Sequence, residues 1–231
     1  MKVLFVHGFG GAGGQVERAL VAAAHGGVHD FVPVRWGSGD LRVLRTRALV
    51  AAAREMATGS TFSRSLLQAA IRGARTATEA WDRAVANVPV GATRLLELLE
   101  SSEAEEQRVA IVAFSLGCRV VLEALGEKPE AARGIDRLVF AGSAAPASAY
   151  EVLPRVFPET RELRLVHVFS RSDDVLDKVY PFGAGAEKPS GRGPLAMAGV
   201  DNIEVGVGHT GYASIADRLW TLATGEPTTL R

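Results

Sequence analysis

Two hydrophobic periods alternate along the chain. Short, nearly continuous apolar runs occur at Lys2–Val6, Phe31–Arg35, Arg108–Phe114, Arg137–Ala141, Leu163–Phe169 and Ile203–Val207. Runs of this kind, rich in Val, Ile and Phe, predict strands buried on both faces. Between them the apolar positions fall at helical spacing. The pattern predicts helices over Gln15–Ala24, ended by Gly26 and Gly27, over Ala92–Ser101, over Leu116–Leu125, ended by Gly126 and Pro129, and over Ser214–Ala223. Tyr150–Val156 reads as no more than a short turn, because Pro154 lies within it. Lys178–Val200, rich in Gly and Pro, reads as a long irregular loop.

A longer helical stretch, Leu41–Asn87, follows the second predicted strand. Leu66, Ala70, Gly73, Ala77, Ala80, Ala84 and Val88 share one face of it, with breaks at Thr58–Thr61 and at Pro89 with Gly91. Strand and helix alternate throughout. The fold class expected is therefore α/β, a doubly wound, mostly parallel sheet of about six strands, with a helical insertion at about 41–87 after the second strand.

Composition narrows the picture. A chain of 231 residues with 47% hydrophobic content makes one domain with a full core. The formal net charge is +0, so no global field draws the chain to nucleic acid or to a membrane. One cysteine excludes an intramolecular disulfide and fits a reducing, cytoplasmic setting. The apolar start, Met1–Val6, is too short for a signal-peptide core, and no run approaches the ~18 apolar residues of a membrane span. Charge is uneven only in Leu41–Asn87. Its eight Arg (42, 45, 47, 54, 64, 72, 75 and 83) face three acids, which gives either a solvated helical face or a lid or cap, the latter able to make weak contact with anionic surfaces.

The chemistry centres on Ala113-Phe-Ser115-Leu-Gly117, where the strand ending at Phe114 turns into the helix starting at Leu116. Small residues two before and two after the Ser allow the sharp turn that holds a hydroxyl at its tip, at the N–H end of a helix. The stretch resembles the nucleophile elbow G-x-S-x-G of the α/β-hydrolase superfamily, with Ala113 departing from Gly in the first position. That resemblance implies a serine hydrolase acting on a carboxylic ester or thioester, with Ser115 as nucleophile. It implies a base and an acid in the chain order Ser, acid, His. His209, in the Gly-flanked loop after the last strand, is the candidate base. Asp173-Asp174-Val175-Leu176 resembles the superfamily's acid turn, which favours Asp173, with Asp174 the alternative.

His7-Gly8-Phe9-Gly10 after the first strand resembles the superfamily's oxyanion loop. The resemblance implies that the Phe9 N–H, or alternatively the Gly10 N–H, pairs with the Leu116 N–H, and that His7 packs beneath the loop. Gly8, Gly10 and Gly13 also fit the dinucleotide fingerprint G-x-G-x-x-G, but no acidic residue ends the second strand to hold a ribose. A nucleotide-binding Rossmann protein and a non-catalytic binding or scaffold protein on the hydrolase fold are the alternatives. No cofactor, metal, nucleic-acid partner or integral membrane association is expected. Cys118 reads as a small buried hydrophobe, and His167, inside a strand, as a core residue.

Overall fold

The computed structural model describes residues 1–24, 29–38, 78–104, 106–157, 163–178, 180 and 187–226. Most of the predicted insertion, residues 41–77, therefore lies outside the described residues, as do seven of its eight Arg.

Six strands form one sheet in the order β2-β1-β3-β4-β5-β6. They are β1 (Lys2–Val6), β2 (Asp30–Val34), β3 (Val109–Phe114), β4 (Ile135–Ala141), β5 (Arg164–Phe169) and β6 (Val200–Glu204). Every ladder is parallel, sharpening the expectation of a mostly parallel sheet. The helices are α1 (Gln15–Ala24), α2 (Val88–Ala104), α3 (Gly117–Glu127), α4 (Leu153–Val156), α5 (Asp174–Lys178) and α6 (Ala216–Thr224), and residues 78–86 are also helical.

Strand pleating divides the core in two. Leu4, Val6, Ile111, Ala113, Leu138 and Phe140 point to one face, where they meet Leu95 and Leu99 of α2 and Val120 and Val121 of α3. Val3, Phe5, Ala110, Val112 and Phe114 point to the other, against Val16 and Leu20 of α1 and Leu219 and Trp220 of α6. All six residues of β3 are buried, which is why the central strand reads as an unbroken apolar run.

Among the boundaries that differ from expectation, three have a direct physical reason. The last strand is Val200–Glu204 rather than Ile203–Val207. It is an edge strand, half-exposed along its length, so apolar content does not mark it. Helix α2 begins at Val88, not Ala92. Pro89 falls in its first turn, where the missing N–H costs nothing. Gly91 lies inside it because a Cβ there would come within 3.0 Å of a Val120 methyl. Helix α3 runs past Gly126 to Glu127, and Pro129 follows the stop. The other edge strand, β2, carries Pro33, a residue tolerated where one side of the strand has no ladder to feed.

Candidate active site

The chain leaves β1, moves outward through α1 to β2, and returns to set β3 on the other side of β1. At this reversal the connections diverge, and open α/β sheets bind ligands at the carboxyl ends of the strands flanking such a point, here β1 and β3. The glycine-rich loop after β1 and Ser115 after β3 both arrive there.

Ser115 has φ 55°, a left-handed conformation that a non-glycine residue adopts at a cost of roughly 1–3 kcal/mol. Its neighbours hold it in place. The Ser115 N–H donates to the Ala141 carbonyl at 3.0 Å, and the Ser115 carbonyl accepts the N–H of Ala144 and of Cys118, each at 3.1 Å. The turn is tight on its other side too. A Cβ on Gly8 would come 2.5 Å from the Ser115 Cβ, and one on Gly117 would overlap the Val6 carbonyl oxygen and sit 2.8 Å from that of His7. Small residues at these points let the start of α3 press against the end of β1.

The two other predicted residues converge on Ser115. His209 Nε2 lies 3.0 Å from Ser115 Oγ, and His209 Nδ1 lies 2.7 Å from Asp173 Oδ2. Asp173 is fully buried, and its Oδ1 accepts the Leu176 N–H at 3.0 Å, which fixes the carboxylate plane. Asp174 is exposed at the start of α5. The imidazole of His209 packs on Phe114, ring centroids 4.8 Å apart, and borders Tyr212 at 6.3 Å. Two other carboxylates, Asp136 in β4 and Asp201 in β6, lie at the amino edge of the sheet, ion-paired with Arg108 and Arg164.

The glycine loop is held largely by its own backbone. Gly10 N–H donates to Ser38, Gly11 N–H to Gly8 and Gly14 N–H to Gly11. Gly13 N–H donates to the buried Glu17 carboxylate, which also takes both guanidinium nitrogens of Arg35 at 2.8 and 2.5 Å. These four N–H groups are engaged within the protein and are not free to cradle a pyrophosphate. Phe9 N–H and Leu116 N–H meet no acceptor among the described residues. His7 is fully buried beneath the loop, as expected. Its Nδ1–H donates to the Gly8 carbonyl at 3.0 Å and its ring stacks on Trp36. Burial holds the His7 imidazole below its usual pKa, with the Gly8 bond opposing that shift.

Behind the elbow, the Tyr150 hydroxyl donates to Ser143 Oγ at 2.7 Å, and Cys118 is fully buried with its thiol pushed up to about 12 by burial. His167 is buried in β5, as its position in the apolar run predicts. Its Nε2–H is shared between the carbonyls of Ser190 and Gly193, and burial lowers its pKa. The Glu17–Arg35 pair and the Tyr150–Ser143 bond escape sequence reading, since neither has a fixed spacing. An acid placed in the first turn of α1 was the one visible signal for Glu17. Among the described residues no three His, Cys, Asp or Glu side chains gather as metal ligands would, and no helix is long and apolar enough to cross a membrane.

No family model matches the chain, and no curated protein matches it. Solved structures do. Aspergillus fumigatus lipase B is similar at a TM-score of 0.50 with 14% identity, over 99% of this chain and 54% of its own. A protein of Xanthomonas campestris pv. campestris assigned to the hydrolases of the α/β superfamily gives 0.45 with 15% identity, over 95% of each chain. The thioesterase domain from the curacin biosynthetic pathway gives 0.47 with 11% identity, over 96% of this chain and 90% of its own. The chain thus spans about half the length of the lipase. With its six parallel strands in this order, the chain has the α/β-hydrolase fold.

Proposed function

We propose that the protein is a serine hydrolase that cleaves a carboxylic ester or thioester through an acyl-enzyme. The observation that carries this reading is the unbroken hydrogen-bond line that starts at the strained Ser115 and runs through His209 to Asp173, at 3.0 and 2.7 Å. A lone hydroxyl is a weak nucleophile and needs an adjacent base that a third group orients. Asp173 accepts the Nδ1–H of His209, leaving Nε2 to take the Ser115 proton as Oγ attacks the carbonyl carbon. The charged imidazole is stabilised by the Asp173 carboxylate and then returns the proton to the leaving alcohol or thiol. Water, activated by the same nitrogen, releases the acid and frees Ser115.

Phe9 and Leu116 N–H groups hold the oxyanion. The alternative donor, Gly10, already serves the Ser38 carbonyl. Residues 78–87, the described end of the segment 41–87, form one wall of the acyl pocket: Ala80 and Ala84 are buried, and the Trp81 ring sits 6.0 Å from that of Phe9 and 5.9 Å from that of Tyr180. The substrate is a small molecule, and the setting is cytoplasmic.

A chain-length series of p-nitrophenyl esters tests the activity. The wild type turns over at least one member, and Ser115→Ala turns over none. Turnover by Ser115→Ala equal to wild type would contradict the reading. Trp81→Ala changes the preferred chain length while leaving the smallest ester nearly unaffected; an unchanged profile would remove the segment from the acyl pocket.

A further inference from the structure

The Ser170 side chain, at the end of β5, is fully buried and is not part of the Ser115–His209–Asp173 line. All of its polar groups are used. Its N–H donates to the Gly191 carbonyl at 3.0 Å, and its carbonyl accepts the Asp173 N–H at 3.2 Å. Its hydroxyl donates to the Val207 carbonyl at 2.6 Å and accepts the Ser172 N–H at 3.2 Å. One oxygen therefore joins two loops: the turn that presents Asp173, one residue after Ser172, and the loop that presents His209, two residues after Val207.

The β5–β6 ladder cannot do this itself. Its last backbone rung is the Val205 N–H donating to the Phe169 carbonyl, and beyond it the two strands diverge into separate loops. The Ser170 hydroxyl continues the ladder by one side-chain rung, at the level where the acid and base must meet. Only Gly208 separates Val207 from His209, so fixing the Val207 carbonyl leaves the imidazole little freedom to drift from Asp173. The loops are close as well as tied, since a Cβ on Gly208 would lie 3.6 Å from Asp174 Oδ1 and 4.0 Å from the Ser172 carbonyl oxygen.

We propose that Ser170 is a positioning residue that sets the Asp173–His209 contact by bridging the acid-bearing and base-bearing loops through its hydroxyl. The proposal rests on the reading of Asp173 and His209 as acid and base. Removing the hydroxyl leaves Val207 and Ser172 without their partner and lets the 2.7 Å contact lengthen. The consequence falls on the rate of Ser115 attack, not on binding of the acyl group.

A double-mutant cycle read by covalent labelling tests this without knowledge of the natural substrate. Labelling by an alkyl fluorophosphonate is measured for wild type, Ser170→Ala, Asp173→Asn and the double variant, separating the limiting rate from the half-saturating concentration. Ser170→Ala is expected to lower the limiting rate about tenfold with the half-saturating concentration unchanged, and to have almost no effect in the Asp173→Asn background. Where Ser170→Ala does not fold, Ser170→Cys, near-isosteric with a weaker donor, carries the same comparison. An equal loss in both backgrounds, or a loss confined to half-saturation, would overturn the proposal. Labelling that survives Ser115→Ala would instead overturn the hydrolase reading beneath it, so the two failures are distinct.

Discussion

The two halves of the candidate site are held by different forces. On the β1–β3 side, Ser115 is placed by steric fit: backbone presses on backbone, and Gly8 and Gly117 are the only way to make room. On the β5–β6 side, Asp173 and His209 are placed by hydrogen bonds from side chains, with Leu176 N–H on the carboxylate and the Ser170 hydroxyl between the loops. Contact distances set by sterics fail abruptly when a methyl is added. Distances set by hydrogen bonds loosen gradually and take the reaction rate with them. The Ser115 side is therefore expected to report mutation as lost stability, and the Asp173–His209 side as lost rate.

The sharpest contrast on the Asp173–His209 side is between neighbouring carboxylates. Asp173→Asn should lower kcat by about 10⁴, because an amide N–H donating to Nδ1 leaves the imidazole in the wrong tautomer. Asp174→Asn, which alters an exposed side chain, should change kcat less than about threefold. Thermal unfolding of both variants should stay near wild type. Losses in the reverse order in steady-state kinetics would assign the acid to Asp174, and equal losses would contradict the assignment to Asp173.

On the Ser115 side, two glycines of the same helix make the comparison. Gly117→Ala drives a methyl into the Val6 and His7 carbonyl oxygens and should cost about 3 kcal/mol or more, a fall in Tm of roughly 6–12 °C. Gly126→Ala meets only a Val152 methyl at 3.5 Å on an exposed face and should gain roughly 0.5–1 kcal/mol from helix propensity. Calorimetry showing similar shifts for both would mean that the elbow is not sterically set.

Each half also holds a buried histidine outside the Ser115–His209–Asp173 line, His7 beneath the glycine loop and His167 in β5. Burial lowers the folded pKa of both below the ordinary 6.5, so the unfolded chain binds more protons as acid is added. Their contribution to stability is complete above pH 6.5 and is lost as pH falls below it, with a limiting slope of about 1.4 kcal/mol per pH unit for each. Denaturant melts from pH 7.5 to 5 should show this acid-side slope, and His167→Gln should remove about half of it. A flat stability profile across the window would contradict the neutral, buried state.

The smallest expected signal is chemical. With its thiol raised to about 12 by burial, Cys118 should resist iodoacetamide at pH 8 in the folded protein and react fully once unfolded. Rapid native labelling would show that the elbow side opens readily, against the steric account.

The same contrast explains what could be read from the sequence. Strands β1, β3, β4 and β5 are buried on both faces, so their apolar runs mark them to within a residue or two. The edge strand β6 is half-exposed, and its register follows pairing with β5, which no run of residues reveals. Ser115, Asp173 and His209 were legible because each sits in a local turn at a strand end. The Glu17–Arg35 pair and the Ser170 bridge were not, because they join residues 18 and 37 positions apart through geometry that only the folded sheet creates. Residues 41–77, where the Arg cluster lies, fall outside the described residues.

Intact-mass analysis after reaction with an alkyl fluorophosphonate tests the central claim most directly. A single adduct per chain is expected, mapped to Ser115 in the peptide around Phe114–Gly117, absent in Ser115→Ala and much slower in His209→Ala. An adduct on another serine, such as Ser143, or labelling that persists in Ser115→Ala, would contradict it.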